Sequence, residues 1–282
     1  MAFRFAAIAA TEGIAIDNAS ASTMATDLPV FAGAGWFRTS GHKYFVPLSV
    51  AVAGARLPTD DPRAALDVMG TVRDEQGRTV GRIRETLRVP PVTGGSLASR
   101  QVLYQTGLTL PPGRFVLKVV VRENTHGTTG SYEMPLVVPD LAQVPMRLSS
   151  VVLSTQTRPA TGRRLAGNPL VRDGTELLPS LTHVVDHAQR MFFYYEVYDP
   201  AIEPGQSPRV KTSLAFYRGR TKVFETPVVE RTATDAADRT AVIFQFEVPA
   251  ERFAPGLYTC QINVVDDVAG RFVFPRLAVY VR

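Results

Sequence analysis

The chain has 282 residues, of which 45% are hydrophobic and 20% charged, an ordinary globular composition with enough apolar material for one large domain or two of typical size. The formal net charge is +5, but the 31 Lys and Arg residues are spread thinly with no run of four, so the sequence does not indicate a nucleic-acid-binding segment. No stretch approaches the roughly 20 apolar residues of a membrane-spanning helix, and a single cysteine excludes a disulfide within the chain.

The N-terminal segment, 1–24, fits a signal peptide only marginally, and we interpret Met1 as the start of a fragment. The segment is rich in large apolar side chains such as Phe3, Phe5 and Ile8, which are costly to leave in water. A disordered tail is usually poorer in such residues. We therefore expect 1–24 to be an added strand or a covering segment, and a tail is the alternative.

Beyond this segment the apolar residues follow a period of two, which is typical of half-buried strands. Clusters of Gly, Pro, Asp and Asn separate the segments, and no window carries a helical stripe over three turns. Many short strands with turn signals between them predict an all-β fold made of immunoglobulin- or fibronectin-III-like sandwiches. The strand-like segments of the first half are 43–52, 65–74, 79–89, 100–110, 114–123 and 131–138.

An internal repeat sets the number of domains. Pro112-Gly113 aligns with Pro255-Gly256 at an offset of 143 residues, and further strand-like segments match in the same order. Self-similarity of this length indicates a duplicated domain. We therefore predict a first β-sandwich over 25–141 and a second over 142–282, joined near the prolines of "VPDLAQVPM".

Each copy of the repeat places a Pro-Gly turn just before a strand. In immunoglobulin-like sandwiches an aromatic residue after such a turn forms a corner, in which a tyrosine hydroxyl bonds to backbone upstream. The second copy has Tyr258 at this position, whereas the first has Phe115 and lacks the hydroxyl. The predicted structural corners comprise Pro112, Gly113, Phe115, Pro255, Gly256 and Tyr258.

Several segments resemble the C-terminal half of large bacterial proteins related to von Willebrand factor A domains. The resemblance covers roughly 25–282 and is carried by "DLPV" (27–30), "YFVPLSV" (44–50), "LDVMGTVRDEQG" (66–77), "LPPGRFVLKVVVRENTHGTTGSYEMPLVVPDL" (110–141), "LSSVVLS" (148–154) and "FFYYEVYDP" (192–200). In those proteins an A-type domain precedes tandem immunoglobulin-like sandwiches. The resemblance implies a non-catalytic accessory region of an exported, periplasmic or cell-surface bacterial protein.

The metal-dependent adhesion motif of an A domain, Asp-x-Ser-x-Ser, is imitated but not reproduced. Asp17, Ser20 and Ser22 are spaced Asp-x-x-Ser-x-Ser, one residue too long. The downstream chain also lacks the alternating strands and helices of an A domain. We interpret this stretch as a polar loop and expect no metal ligand in it.

Other groupings of reactive residues are incomplete. His183 and His187 lie four apart in "HVVDH", but a zinc site needs further ligands. Cys260 lies inside a strand-like segment, where a cysteine is usually a small buried hydrophobe. The acidic clusters, at Asp60, Asp61 and Asp67 and at Asp266-Asp267, lack a calcium-binding pattern, and no Gly-x-Ser-x-Gly elbow occurs. We expect no enzyme activity, metal or cofactor.

The densest aromatic run of the chain is "MFFYYEVY". By alternation, its side chains divide between the two faces of one strand, and both faces are heavily apolar. One face must be core. The other is either covered by further protein or is an exposed aromatic platform for a partner or a sugar. The candidate binding residues are Phe192, Phe193, Tyr194, Tyr195 and Tyr198.

Three classes of function remain open at this point. The first is a structural or interaction module of a bacterial surface protein, with a protein partner or self-assembly, as in adhesion. The second is a carbohydrate- or protein-binding module that uses an aromatic sandwich face. The third is an enzyme whose site has no recognisable motif. An exposed aromatic patch distinguishes the second from the first.

Overall fold

Alternation of inward apolar and outward polar residues places the strands where the sequence predicts them. Within Gly113–Glu123, for example, Leu117 and Val119 are fully buried while Lys118 and Arg122 are exposed. The computed structural model describes residues 27–40, 42–54, 57, 64–89, 101–160, 167–205 and 207–282. All the long elements in this part of the chain are strands, which confirms the all-β prediction.

The strands are β1 (Val30–Ala34), β2 (Phe37–Ser40), β3 (Lys43–Ala53), β4 (Ala65–Asp74), β5 (Thr79–Arg88), β6 (Gln101–Leu110), β7 (Gly113–Glu123), β8 (Thr129–Val138), β9 (Arg147–Leu148), β10 (Val152–Pro159), β11 (Val171–Arg172), β12 (Thr175–Pro179), β13 (Val184–Val185), β14 (Arg190–Tyr198), β15 (Val210–Arg218), β16 (Thr221–Glu225), β17 (Val229–Arg231), β18 (Ala241–Pro249), β19 (Gly256–Asp266), β20 (Arg271–Val273) and β21 (Arg276–Val281). The helical elements of the described residues are short 3-10 turns, none of which is long and apolar enough to cross a membrane: Leu141–Gln143, Ala237–Arg239 and Ala250–Arg252.

The described residues fall into two units. The unit that we call the first sandwich contains 27–34 and Val46–Pro139. One of its sheets has the strand order β5-β4-β7-β8, and in the other β3 pairs with β1 and β6. The inward sides of β4 and β7 form its core with fully buried residues such as Leu66 and Leu117.

The unit that we call the second sandwich contains Asp140–Arg282 together with Gly35–Phe45. One sheet has the order β11-β12-β10-β14-β18 and the other β13-β21-β19-β15-β16. Side chains from both sheets meet in one core, where the ring of Phe193 on β14 packs edge-on against Phe216 on β15 at 5.9 Å between centroids. These two packed sheets, antiparallel apart from the pair β13–β21, confirm the predicted sandwich fold class.

The strand order is the same in both sandwiches. β5-β4-β7-β8 corresponds to β16-β15-β19-β21, and β3 pairs with β1 and β6 as β14 pairs with β10 and β18. The matched strands β7 and β19 are both 11 residues long and begin at the two glycines of the repeat, Gly113 and Gly256. The repeated sequence therefore corresponds to a repeated topology.

One segment is grouped differently from the predicted ranges. The prediction placed all of 25–141 in the first sandwich, but the segment Gly35–Phe45 belongs to the second unit. It forms a hairpin in which β2 pairs with the start of β3, Phe37 lying opposite Phe45. The alternation marks these residues as strands but carries no information about the sheet against which they pack. The break after the first sandwich falls between Pro139 and Asp140.

Candidate functional site

The aromatic run of β14 is buried on its inward side. Phe193 and Tyr195 have no exposed surface and belong to the core of the second sandwich. The Tyr195 ring stacks on Phe244 of the neighbouring strand, and its hydroxyl pairs with Thr212 at 2.6 Å. Burial raises the pKa of this hydroxyl far above its usual value, although the Thr212 hydrogen bond lowers it. This side of the strand is structural.

The outward side of β14 is covered as well. Tyr194 is fully buried, and its ring packs against Phe37 of the Gly35–Phe45 hairpin at 5.6 Å between centroids. Tyr198 is 1% exposed and lies under the guanidinium of Arg38, whose central carbon is 4.6 Å from the ring centroid. Phe192 is half-buried against the same cluster. The five aromatic residues therefore do not form an exposed platform, because the hairpin covers the outward rings.

A charged pair lies beneath this cover. Glu196 is fully buried, and Arg239 donates to both of its carboxylate oxygens at 2.8 and 3.0 Å. The Tyr194 hydroxyl also donates to Glu196, at 2.6 Å. Burial lowers the pKa of the Arg239 guanidinium, but the Glu196 carboxylate raises it by more. The carboxylate thus has its charge compensated and its oxygens hydrogen-bonded.

A second ionic cluster fixes the hairpin. Arg38 donates to both carboxylate oxygens of Asp199 at 2.6 and 2.7 Å, and Arg147 donates to Asp199 at 2.6 Å. Burial raises the pKa of Asp199, but the hydrogen bonds and charges of the two arginines lower it by more. The backbone of Trp36 exchanges hydrogen bonds with Ser150, so the hairpin is held by side chains and backbone together.

The two Pro-Gly corners differ as their sequences do. The Tyr258 hydroxyl donates to the carbonyl oxygen of Ala254, four residues upstream, at 2.7 Å. This is the hydrogen bond of a tyrosine corner. In the first sandwich, the Phe115 ring lies over the turn, its tip 3.1 Å from where a Cβ on Gly113 would be. Gly113 and Gly256 have φ of +156° and +148°, a region that favours glycine.

The outward face of β16-β15-β19-β21 carries a row of hydrogen-bonded polar side chains. Asn263 donates to Ser213 at 3.1 Å, Gln261 donates to Asn263 at 2.8 Å, and Arg276 donates to Gln261 at 2.8 Å. Ser213 in turn donates to Glu225 on the edge strand. The row crosses four neighbouring strands and presents amide and guanidinium groups to solvent.

Apolar side chains lie on both sides of this polar row, toward the two ends of β19. At one end, Leu257 and Tyr280 lie opposite each other on paired strands and are 47% and 46% exposed. At the other end, the Phe272 and Phe274 rings stack on each other at 5.3 Å between centroids and are 64% and 44% exposed. The exposed aromatic surface of the second sandwich is therefore on the sheet opposite β14.

The outward face of β5-β4-β7-β8 in the first sandwich is strongly basic. The pairing aligns one column of arginines on β5 with a second basic column on β7, on either side of β4. All seven basic side chains are exposed, and only Lys118 has an ion pair with a described residue, at 3.9 Å to Glu133. The basic residues are Arg73, Arg82, Arg84, Arg88, Arg114, Lys118 and Arg122.

Two carboxylates, Asp67 and Glu133, share this face, which leaves a formal balance of +5. Reading the sequence for consecutive basic residues missed the face, because alternation separates neighbouring members of a column by two or four positions. The signal was nevertheless present: Arg82, Arg84 and Arg88 are all at even positions of one predicted strand. That parity, combined with the strand pairing implied by the repeat, would have predicted that these arginines lie on one face of the sheet.

The remaining candidate residues have structural partners. His183 has a φ of +50°, and its Nδ1 lies 3.1 Å from the Ala278 carbonyl oxygen, while His187 is exposed. Cys260 is fully buried, and burial raises the pKa of its thiol. Asp67 accepts a hydrogen bond from Thr86 at 2.6 Å. Within the described ranges, no three His, Cys, Asp or Glu side chains converge as metal ligands would.

The other acidic cluster is also engaged by the protein itself. Asp266 is buried and accepts hydrogen bonds from the backbone amides of Ala201 and Ala269, and Asp267 pairs with Lys211 and Arg209. Asp17, Ser20 and Ser22, the segment 1–24, and Asp60 and Asp61 lie outside the described residues. The predictions made for them stay predictions.

No protein-family model and no curated protein matches the chain. Similar solved structures include trypsin-activated alpha-2-macroglobulin from Escherichia coli, with 10% identity and a TM-score of 0.26 over 89% of this chain and 16% of that one. A calcium-binding mutant of Bacteroides uniformis beta-glucuronidase 2 has 11% identity and a TM-score of 0.28 over 84% of this chain and 26% of that one.

The fibronectin(III)-like modules of Clostridium thermocellum CbhA have 10% identity and a TM-score of 0.24, over 90% of this chain and 94% of that one. The chain thus spans only a small part of the first two of these proteins. TM-scores this low support no inference about the present chain. Its fold class rests on the strand pairing and the packing of the two sandwiches.

Proposed function

We propose that this chain is a non-catalytic interaction module of an exported or cell-surface bacterial protein, and that its second sandwich binds another copy of the chain. The observation that carries the proposal is the exposed apolar surface on the outward face of β19–β21, at Leu257, Tyr280, Phe272 and Phe274. Exposed apolar patches on a folded domain commonly mark contact surfaces.

The surroundings of this surface favour a protein partner over a charged polymer. Lys222 pairs with Glu225 at 2.5 Å, and Lys211 pairs with Asp267 and Glu230, so both lysines of this face have carboxylate partners. Burial of the two phenylalanine rings would remove apolar area from water, which drives most protein association. Exported location and the relation to proteins with von Willebrand A domains remain part of this proposal and come from the sequence resemblance.

Light scattering coupled to size exclusion, over a range of protein concentrations, tests self-association. We expect the mean molecular mass of the natural chain to rise with protein concentration. The Phe272→Ser/Phe274→Ser double variant should keep the mass of a monomer at every concentration. The matched control is Ile202→Ser/Val228→Ser, which removes two side chains of similar exposure elsewhere on the second sandwich. A natural chain that is monomeric at every concentration, or equal loss of mass in both variants, would contradict the proposal.

The polar row supports a second candidate, carbohydrate binding by the same face. Planar amide and guanidinium groups beside exposed aromatic rings match the hydroxyls and the apolar C–H faces of sugars. A glycan array should then show binding that Gln261→Ala removes. Retention of every glycan signal in that variant would exclude the polar row as the binding site.

A further inference from the structure

The basic face of the first sandwich has the layout of a site for a linear polyanion. Neighbouring strands are about 4.8 Å apart, so the β5 and β7 columns lie about 10 Å from each other across β4. Arg82 and Arg84 lie opposite Thr71 and Met69 of β4. A narrow floor therefore runs along β4 between two rows of cations.

The outward side chains between the columns, which form this floor, are short and mostly aliphatic. Met69 is 40% exposed, Thr71 and Val120 are half-buried, and Arg73 lies at one end of β4. Asp67, toward the other end, accepts the Thr86 hydroxyl hydrogen bond. A chain that lies along this floor would contact short apolar side chains below and guanidinium groups on both sides.

Most of the positive charges on this face have no carboxylate partner among the described residues. Six of the seven cations, all arginines, form no ion pair with a described residue, and the pair of Lys118 with Glu133 is long at 3.9 Å. Like charges held this close repel one another, and an anionic ligand relieves that repulsion. The planar guanidinium group of arginine also binds two oxygens of one anion at once, which suits carboxylate and sulfate groups.

We infer that this face binds a linear anionic polysaccharide that bears carboxylate or sulfate groups. The inference goes beyond the proposed function and uses a different sandwich, so either can fail without the other. Sugar rings would place their C–H faces on the aliphatic floor and their anionic groups beside the two columns.

Other polyanions fit the face less well. Single-stranded nucleic acids bind through aromatic rings that stack on bases, and the outward positions of these four strands hold no aromatic residue. A DNA duplex is wider than the space between the columns. Penetration of a bilayer needs apolar side chains that protrude, whereas Met69 and Val120 are shorter than the arginines beside them.

The test is fluorescence polarisation with labelled heparin fragments and labelled oligogalacturonate, at low and at moderate NaCl. The variant Arg82→Gln/Arg84→Gln/Arg122→Gln removes charge from both columns. The control Arg220→Gln/Arg231→Gln/Arg271→Gln loses the same charge from exposed arginines of the second sandwich. Unchanged circular dichroism melts would show that both variants are folded.

We expect the natural chain to bind at least one probe, and the affinity to fall as NaCl rises because salt screens exposed charges. The face variant should lose about tenfold or more in affinity, and the control less than about twofold. Absence of binding at low salt, or equal loss in both variants, would overturn the inference. Tighter binding of duplex DNA or of phosphatidylglycerol vesicles through the same arginines would also overturn it, because the face would then serve another ligand.

Discussion

The outward side of β5-β4-β7-β8 carries six arginines that form no ion pair with a described residue. The outward side of the corresponding sheet, β16-β15-β19-β21, instead pairs its lysines with carboxylates and joins its polar groups in one row. The inward sides of both sheets are lined by buried residues, most of which are apolar. Burial constrains the inward residues of a sandwich, because each must fill the core. The outward residues are free of that constraint, so two copies of one fold can acquire different binding surfaces.

The largest expected effect concerns the two glutamates that have no exposed surface, Glu123 in the first sandwich and Glu196 in the second. Glu123 of the first sandwich accepts the backbone amide of His126 at 2.7 Å, whereas Glu196 of the second depends on the side chain of Arg239. We expect Arg239→Ala to lower the free energy of unfolding by about 3–5 kcal/mol, because it leaves a buried carboxylate unpaired. Urea denaturation followed by the fluorescence of Trp36, the only tryptophan and a residue of the second unit, measures this.

The matching change in the first sandwich is His126→Ala. The imidazole of His126 is mostly exposed, and the backbone amide that binds Glu123 remains after the substitution. We expect His126→Ala to lower the stability of the first sandwich by much less than Arg239→Ala lowers that of the second. Amide hydrogen exchange of β7 measures this stability. Equal losses would mean that the two carboxylates are stabilised in the same way and would remove this difference between the sandwiches.

The next effect concerns Asp199 and the hairpin of the second sandwich. Arg38 and Arg147 hold the pKa of Asp199 below its ordinary value despite burial, so its ionised form stabilises the fold at pH values above about 4. That stabilisation is lost as the pH falls through the lowered pKa. Asp199→Asn should cost about 1–3 kcal/mol at pH 7 and weaken the dependence of stability on pH below about 4.

Denaturation curves of Asp199→Asn between pH 2.5 and 7, again by Trp36 fluorescence, check this prediction. The control is Asp74→Asn in the first sandwich, whose partner Arg78 is highly exposed in a turn. It should leave the Trp36 transition unchanged. An Asp199→Asn variant with the natural slope below pH 4 would show that the arginines do not act through the charge of Asp199.

A smaller effect is expected from a substitution that gives the corner of the second sandwich the aromatic residue of the first. Tyr258→Phe removes the hydrogen bond to Ala254 while keeping the ring, and should cost about 0.5–1.5 kcal/mol. Phe115→Tyr should give no equal gain, because the Phe115 ring lies over Gly113. Chemical denaturation of both variants measures the difference. A gain from Phe115→Tyr as large as the loss from Tyr258→Phe would show that the two corners share one geometry.

The smallest expected effect is that of single surface charges. Arg84→Gln should change the free energy of unfolding by less than about 0.5 kcal/mol, since the side chain is exposed and forms no ion pair with a described residue. Added salt should nevertheless slow the amide hydrogen exchange of β7 in the natural chain, because it screens the repulsion between the arginines of the basic face. The exchange of β19 should slow less. Hydrogen exchange of the two strands at two salt concentrations measures this. Equal responses of β7 and β19 would contradict the contrast between the faces.

The strands and the repeat could be predicted because both leave a pattern within short stretches of sequence. The parity of Leu117 and Lys118 is visible without any partner strand, and the two Pro-Gly turns align by themselves. The partner of Tyr194 could not be predicted in this way. Its cover comes from Phe37, 157 positions earlier, and alternation carries no information about which distant strand packs on an apolar face.

The two exposed faces could not be predicted from the sequence for the same reason, because each combines residues of different strands. The apolar residues Leu257 and Tyr280 meet only because β19 pairs with β21, and the basic columns meet only because β4 lies between β5 and β7. The aromatic density of β14 left both a covered face and an exposed platform open, because density in sequence follows core packing as readily as ligand binding. Pairing, more than composition, decides which outward residues act together.

The hairpin Gly35–Phe45 has a consequence for the order in which the protein is made. On a ribosome it emerges about a hundred residues before Asp140, where the rest of its unit begins. Phe37 and Arg38 must therefore wait for Tyr194 and Asp199 to be synthesised, even after the strands on either side of the hairpin are complete. A nascent chain released near Pro139 would leave the hairpin without its partners, so a gene truncated at that boundary would encode the strands of the first sandwich together with a hairpin that has nothing to pack against.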